Sequence, residues 1–538
     1  MVSAAAAAGL LATVYAIVSH LVNQHVPDSY MVRTSLPQRT PPPPLPTPHR
    51  RWPLAAQDEE FHVRQTQQYC GGDFVTWDPM ITTFPGLYFA AVGVLTPAAS
   101  LSARPLPSLC SAPALRLLNL AFGLGTFFCC VDILRSLDGS AGPTAPEQPA
   151  YDRFKQLKKA RSSPPAPRSK AEEGAEEGAE AARDEGGAVR GALLLSLCPL
   201  HFFFAFLFYT DGGANCLVLL AYALALRRRP WASALAGACS VGFRQTNIVW
   251  CGFICCTIMA RLIDARLPTG SWAPAAGSSA APLAALRRYV GGAWSCKGPL
   301  LAAIGPFLGL AAAFIWFLKV NGGVVVGDRT AHAPVLHLPQ LCYFAVFTFG
   351  LLAPFQLAAS GLATLASMWN GGRRRELLAG AVCVLGAVVY AVRYHTHAHK
   401  YLLADNRHYT FYVWKLFFRR EGTVGRLLPY AACPVYALLG WFVALDLWKA
   451  ERAQHPLWLL LYAVCTALVL VPAELLEGRY FVLPFFMAAL HSPAFGRAKV
   501  QAFPLLAFPL LAVNAATLYL FLFRPFTWPD GSTARFMW

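Results

Sequence analysis

Six short polar clusters hold most of the side chains in this chain that can do chemistry. The first is Asp58-Glu59-Glu60-Phe61-His62, followed by Trp77-Asp78-Pro79. The second is Tyr209-Thr210-Asp211, and the third Phe243-Arg244-Gln245-Thr246-Asn247. The fourth runs from Asn321-Gly322-Gly323 to Gly327-Asp328-Arg329, the fifth from His399-Lys400-Tyr401 to Asp405-Asn406-Arg407-His408-Tyr409, and the sixth is Glu477-Gly478-Arg479-Tyr480. A carboxylate held against a hydroxyl can take its proton, and arginine and lysine suit phosphate oxygens in charge and geometry. Plainer readings stand beside these. Arg244, Arg329 and Arg479 suit interfacial snorkelling, and Asp328 with Arg329 suits a structural ion pair. His395, His397 and His399 alternate, but alternate residues share a face only in a strand, so no metal is expected there. Asn321-Gly322-Gly323 lacks the spacing of a phosphate-cradling loop and reads as a turn.

The elements that must position these clusters are membrane helices. Of 538 residues, 56% are hydrophobic and 14% charged, against about a quarter charged in ordinary soluble domains. The apolar residues come in blocks of transmembrane length, and helices are the only open-chain way to satisfy backbone groups in lipid. The expectation is an all-α, polytopic helical membrane protein, one membrane domain over 1–538. About thirteen spans are expected, near 3–22, 112–134, 188–208, 213–228, 231–247, 248–263, 298–320, 337–358, 376–393, 427–448, 456–472, 478–491 and 502–523. The block 231–263 is read as two helices. The first span, 3–22, is read as a retained anchor and signal together. Ile81 to Pro97 is interrupted by Pro85, Gly86 and Pro97, and reads as lying along the membrane surface. Residues 138–187, rich in Pro, Ala, Glu, Arg and Lys, read as a disordered insert, and 267–285 as a linker. Most of the 15 cysteines lie in apolar blocks and no CxxC pair occurs, so buried free thiols are expected rather than disulfides or zinc.

Sidedness follows from charge. The formal net charge is +17, but the basic residues sit in short loops at 227–229, 287–288 and 373–375. That pattern orients a membrane protein and forms no stripe for nucleic acid. If the loop 23–111 is placed on one side, the turns at 209–212, 244–247, 321–336, 394–426 and 473–479 share it. The basic loops and the insert fall on the other, cytosolic side. The polar clusters then converge on one lumenal surface. No Asn-x-Ser/Thr sequon marks either side.

The runs FHVRQTQQYC (61–70), WDPMITTFPGLY (77–88), GFRQTNIVW (242–250), VNGGVVVGDR (320–329) and HKYLLADNRHYTFYVWK (399–415) closely resemble the dolichyl-phosphate-glucose-dependent alpha-1,2-glucosyltransferases. That family adds the last glucose to the lipid-linked oligosaccharide used for N-glycosylation. The resemblance implies a GT-C architecture, with a lumenal loop after the first span that carries the catalytic acid on short interfacial helices. The family stretch reads like Tyr-Met-Asp-Glu-x-Phe-His. Here residues 32–57 separate Tyr30-Met31 from Asp58. That stretch starts with Val32, whose codons begin GT, and ends with Gln57, which CAG encodes, so it reads as an insert or retained intron. The family tends to have Glu where Asp211 stands.

The resemblance implies a beta-linked glucosyl phosphate donor and an alpha-linked product, hence inversion by a single displacement. One carboxylate suffices as base: Asp58, with Glu59 the alternate. The phosphate leaving group needs cationic partners. Lys400, Arg407 and His408 are the first candidates, with Arg329, Arg244 and Arg479 behind them. His62, Trp77, Asp78, Asp211, Asp405, Tyr401 and Tyr409 are the candidates for the acceptor or sugar. The expected partners are the dolichyl phosphate glucose donor, the dolichyl-diphosphate oligosaccharide acceptor and membrane lipid. No nucleic acid, metal or other cofactor is expected, and the chain is expected to work as a monomer in the endoplasmic reticulum membrane. The competing reading is a polytopic transporter or channel-regulating subunit without transferase activity. No internal repeat of the transporter kind is visible.

Overall fold

A computed structural model describes residues 3–27, 58–138, 186–265, 287, 290–327, 329, 333–418, 422–449, 456–495, 503–528, 531 and 533–538. The proposed insert 32–57, the linker 267–285, positions 139–185 and Asp328 lie outside them. The side chains of Asp58 and Tyr401 do as well.

The apolar blocks become helices with ordinary start and stop signals. Helix α1 (Ala4–His25) is capped by the Ser3 hydroxyl, which accepts from the N–H of Ala6 at 3.1 Å. The loop after it carries α2 (Asp58–Cys70), α3 (Gly86–Ser102) and α4 (Leu106–Leu109). Helix α3 is apolar, with Leu87, Tyr88, Ala91 and Ala99 buried. Next come α5 (Ala112–Asp138), α6 (186–196) and α7 (Pro199–Phe204). Prolines then open several helices, where the missing N–H costs nothing. Helix α8 (Thr210–Leu226) packs between α5 and α9 (Pro230–Phe243), and nearly all of it is buried. Helix α10 (Asn247–Asp264) follows after a three-residue break, so the block 231–263, long for one span and short for two, is two helices.

Helix α11 (Lys297–Asn321) ends at Gly322 with φ +73°, and Asn321-Gly322-Gly323 is indeed a turn. The expected span 337–358 is not continuous. It is α12 (Pro339–Leu352) and α13 (Pro354–Asn370), which meet at a 110° bend. Pro354 is the reason: it drives the preceding Ala353 out of helical geometry, to φ −177° and ψ 71°. Then follow α14 (Arg374–Tyr394), the short α15 (Lys400–Ala404) and α16 (Tyr409–Phe417), α17 (Gly422–Ala431), α18 (Cys433–Trp448), α19 (Pro456–Leu470), α20 (Arg479–His491) and α21 (Phe503–Phe523). A two-stranded antiparallel hairpin, β1 (Phe526–Thr527) with β2 (Thr533–Ala534), closes the described chain.

Among the described residues, seven helices are long and apolar enough to cross a membrane, and eight if the bent pair counts as one span. Other expected spans fall on shorter or broken helices. The block 188–208, for example, is interrupted before Pro199. One expectation is corrected. Cys70 and Cys110 form a disulfide that ties the end of α2 to the start of α5, across 40 residues. These two cysteines lie in the first loop rather than in an expected span, and both are buried there.

Candidate active site

The site is built around the start of α2. Glu59 is fully buried, and Arg116 from α5 is 1% exposed. The Arg116 guanidinium donates through Nε to Glu59 Oε1 and through Nη2 to Oε2, both at 2.8 Å. Oε1 also accepts from the backbone N–H of Phe208 at 2.8 Å. Arg116 Nη1 reaches on to Asn23 Oδ1 (3.0 Å) and the carbonyl of Val26 (2.6 Å) at the end of α1. A buried arginine in a span is tolerated only when paired in this way. Glu59 thus holds α2 against α1, α5 and the segment before α8. Asn119 locks the same segment by donating to the carbonyls of Leu207 (2.6 Å) and Tyr209 (2.8 Å).

That anchoring brings the second, third and sixth clusters to α2. Asp211, in the first turn of α8, accepts from Arg244 Nη1 at 2.6 Å and from Arg479 Nη1 at 3.3 Å. Arg479 also donates to Glu477 at 2.7 Å. Its guanidinium lies 5.3 Å from the Tyr209 ring, and that of Arg244 lies 5.4 Å from the Tyr480 ring. His62 sits beside them, with Nδ1 2.7 Å from the Tyr88 hydroxyl and its ring 6.0 Å from Tyr209. Arg244 and Arg479 are therefore held in an ion-pair network rather than snorkelling singly.

The fourth cluster docks on the Trp77–Thr82 loop. Val326 N–H donates to Thr82 O (3.3 Å), which also accepts from Gln245 Nε2 (2.9 Å). A Cβ at Gly327 would overlap the carbonyl oxygens of Pro79 and Ile81, so only glycine permits this approach. Trp77 Nε1 donates to Ile81 O at 3.2 Å, and Asp78 Oδ1 accepts from Met80 N–H at 2.9 Å. Arg329 is exposed and donates to Asn321 Oδ1 at 2.9 Å. Glu60 pairs with Arg64, yet burial still pushes its carboxyl above the ordinary range, with the nearby Asp78 charge adding to the rise.

The fifth cluster forms its own assembly. Arg407 forks onto Asp405, with Nε to Oδ1 at 2.8 Å and Nη2 to Oδ2 at 2.6 Å, and His408 Nε2 lies 3.5 Å from Oδ2. Burial alone would raise the Asp405 carboxyl, but hydrogen bonds from Arg407 and the charges of His408 and Arg407 hold it below the ordinary range. Tyr409 stacks edge-on against Trp538, their ring centroids 5.1 Å apart. Lys400 is exposed at the start of α15. The His397 ring lies 5.7 Å from His337. The backbone around His337 pairs with Val471 and Pro472, just before the sixth cluster. Among the described residues, no three His, Cys, Asp or Glu side chains gather as metal ligands do.

Several members of the site escaped sequence reasoning. Arg116 lies inside an expected span, and an arginine in an apolar block is itself the signal for a buried partner. Tyr88 closed one of the runs that carry the resemblance but stood in an apolar stretch without an assigned role. Glu60 and Glu477 stood in the clusters without an assigned role.

Fold and site together define a polytopic helical membrane protein with carboxylates and guanidinium groups gathered at its helix ends. The chain belongs to the DIE2/ALG10 family, whose model matches residues 53–490. It is 35% identical over 498 residues to a Mus musculus protein and 35% over 500 to a Homo sapiens protein, in each case covering 89% of this chain and 92% of the relative. An Arabidopsis thaliana protein is 30% identical over 535 residues, covering 90% of this chain and 95% of the relative. All three are named Dol-P-Glc:Glc(2)Man(9)GlcNAc(2)-PP-Dol alpha-1,2-glucosyltransferase. No solved structure matches the chain.

Proposed function

We propose that this chain is an inverting glucosyltransferase of the endoplasmic reticulum membrane, working as a monomer on its lumenal face. It moves glucose from dolichyl phosphate glucose to the diglucosylated, mannose-rich dolichyl-diphosphate oligosaccharide, in alpha-1,2 linkage. The observation that carries this is family membership across the membrane domain, with relatives of that name covered almost end to end. The disulfide in the first loop supports the lumenal side, since such bonds persist in oxidising compartments.

The step is one displacement. The acceptor hydroxyl oxygen bonds to the anomeric carbon as the carbon–oxygen bond to phosphate breaks. The proton goes to the base, and dolichyl phosphate leaves as an anion. Asp58, the first residue of α2, is the base in this reading. Glu59 is less suited, because both its oxygens already accept hydrogen bonds from Arg116 and one also from Phe208. Lys400 and Arg329, both exposed, are the better phosphate ligands. Arg244 and Arg479 are balanced by Asp211 and Glu477 and would exchange a carboxylate to bind phosphate. Arg407 and His408 shape their loop through Asp405. His62, Trp77, Asp78, Asp211, Asp405, Tyr401 and Tyr409 are the candidates to bind the sugars in this reading.

The purified protein, given both lipid substrates, should transfer one glucose. Asp58→Ala should lower kcat by about 10²–10⁴-fold while leaving the fold intact. A well-folded parent that transfers nothing, or an Asp58→Ala protein as fast as the parent, ends this reading.

A further inference from the structure

The segment after α21 makes more specific contacts than a trailing end requires. Trp528 Nε1 donates to Asn406 Oδ1 at 2.9 Å, and the Arg407 guanidinium lies over the Trp528 ring at 4.8 Å. Met537 pairs with His408 in a parallel bridge: its N–H donates to Arg407 O at 3.0 Å, and its carbonyl accepts from Tyr409 N–H at 3.3 Å. The main-chain oxygen of Trp538 lies 2.6 Å from His408 Nδ1. That oxygen can only accept, so Nδ1 carries a proton and the Nε2 side of the ring faces Asp405. Tail contacts therefore set both the backbone path of 407–409 and the orientation of His408.

The same segment is tied to the opposite side of the site. Arg535 Nη1 donates to the carbonyls of Phe521 (2.7 Å) and Leu522 (3.0 Å), which close the last turn of α21. Its Nη2 donates to the carbonyl of His25 at 2.9 Å, at the end of α1. The next residue, Val26, is held by Arg116, and Arg116 holds Glu59 beside Asp58. A continuous path of hydrogen bonds and short backbone steps thus runs from the 405–409 loop through the tail to the start of α2.

We propose that residues 524–528 and 533–538 act as a strut that sets the 405–409 loop at a fixed distance from the start of α2, with Arg535 and Trp528 as positioning residues for glucosyl transfer. Neither touches the reacting atoms in this scheme. The inference rests on the transferase reading above and adds the part that keeps the two halves of the site in register. An ångström-scale loss of register is enough to slow an enzyme about 10²-fold.

The test uses the full-length protein in detergent beside three variants: deletion of 526–538, Arg535→Ala and Arg535→Lys. Amide exchange over 405–412 should quicken in the deletion and in Arg535→Ala, with the membrane helices still protected. The kcat/KM for glucosyl transfer should fall about tenfold in Arg535→Ala, because the 405–409 loop and the start of α2 lose their common support. Arg535→Lys, which keeps a donor near the same carbonyls, should recover part of that loss. Unchanged exchange over 405–412 overturns the strut. So does a loss of activity that disappears when the rate is counted per folded protein, since that reports lost folded enzyme. A parent that transfers no glucose would sink the transferase reading instead, and the exchange data would still decide whether the strut exists.

Discussion

At the scale of single residues, the Glu59–Arg116 pair ties the first loop to α5. Both side chains are buried, so removing one partner leaves an uncompensated charge. Arg116→Ala should cost about 3–5 kcal/mol and lower the thermal midpoint accordingly. Arg116→Lys should be only partly tolerated, because an ammonium cannot fork onto both oxygens. Glu60 behaves in the opposite sense. Its carboxyl is raised in the folded protein, so the folded state binds the proton more tightly than the unfolded chain does. That contribution is fully present below the unfolded value and is lost as pH rises through the folded one. Glu60→Gln should therefore raise the thermal midpoint relative to the parent at about pH 7.5 and change it little at about pH 4. An equal gain at both pH values would show that Glu60 is not strained by burial.

At the scale of elements, the first loop is a small folded unit rather than a connector. Helices α2, α3 and α4 are closed off by the Cys70–Cys110 disulfide. A crosslink across that separation restricts the unfolded chain by about 4 kcal/mol in the chain-entropy description. Cys110→Ser should lower the thermal midpoint, and reductant should lower that of the parent to the same value without further effect on the variant. Identical midpoints for parent and variant under non-reducing conditions would show that the bond does not support the loop. The bend between α12 and α13 is the other feature of this scale. Hydropathy alone counted 337–358 as one span, because Leu352, Ala353 and Pro354 read as apolar whether or not the helix continues.

At the scale of the whole molecule, five of the six clusters meet directly, and the fifth joins through the tail and the His337 segment. All were expected on one face from the alternation of spans. The lumenal placement of that face has a direct check, because the sequence contains no glycosylation sequon of its own. Asp73→Asn combined with Val75→Thr creates one on an exposed turn, where Val75 is 92% exposed. An asparagine there can still accept the turn hydrogen bonds from Val75 and Thr76. In microsomes the double variant should gain a glycan that endoglycosidase removes. A membrane-inserted variant that stays unglycosylated would put this loop on the cytosolic side.

The sequence by itself determined that this is a helical membrane protein, where its polar clusters lie and which family they resemble. Those are properties of local segments: each apolar block must satisfy its own backbone, and each loop carries its own charge. Only the tertiary structure decided who touches whom. Glu59 finds Arg116 across 57 positions and Asp211 finds Arg479 across 268, while Cys70 pairs with Cys110 against the expectation of free thiols. No periodicity encodes such contacts, because they depend on how whole helices pack. The same packing ties up Glu59, the alternate base, with Arg116, and brings the tail from 524 onward against the 405–409 loop.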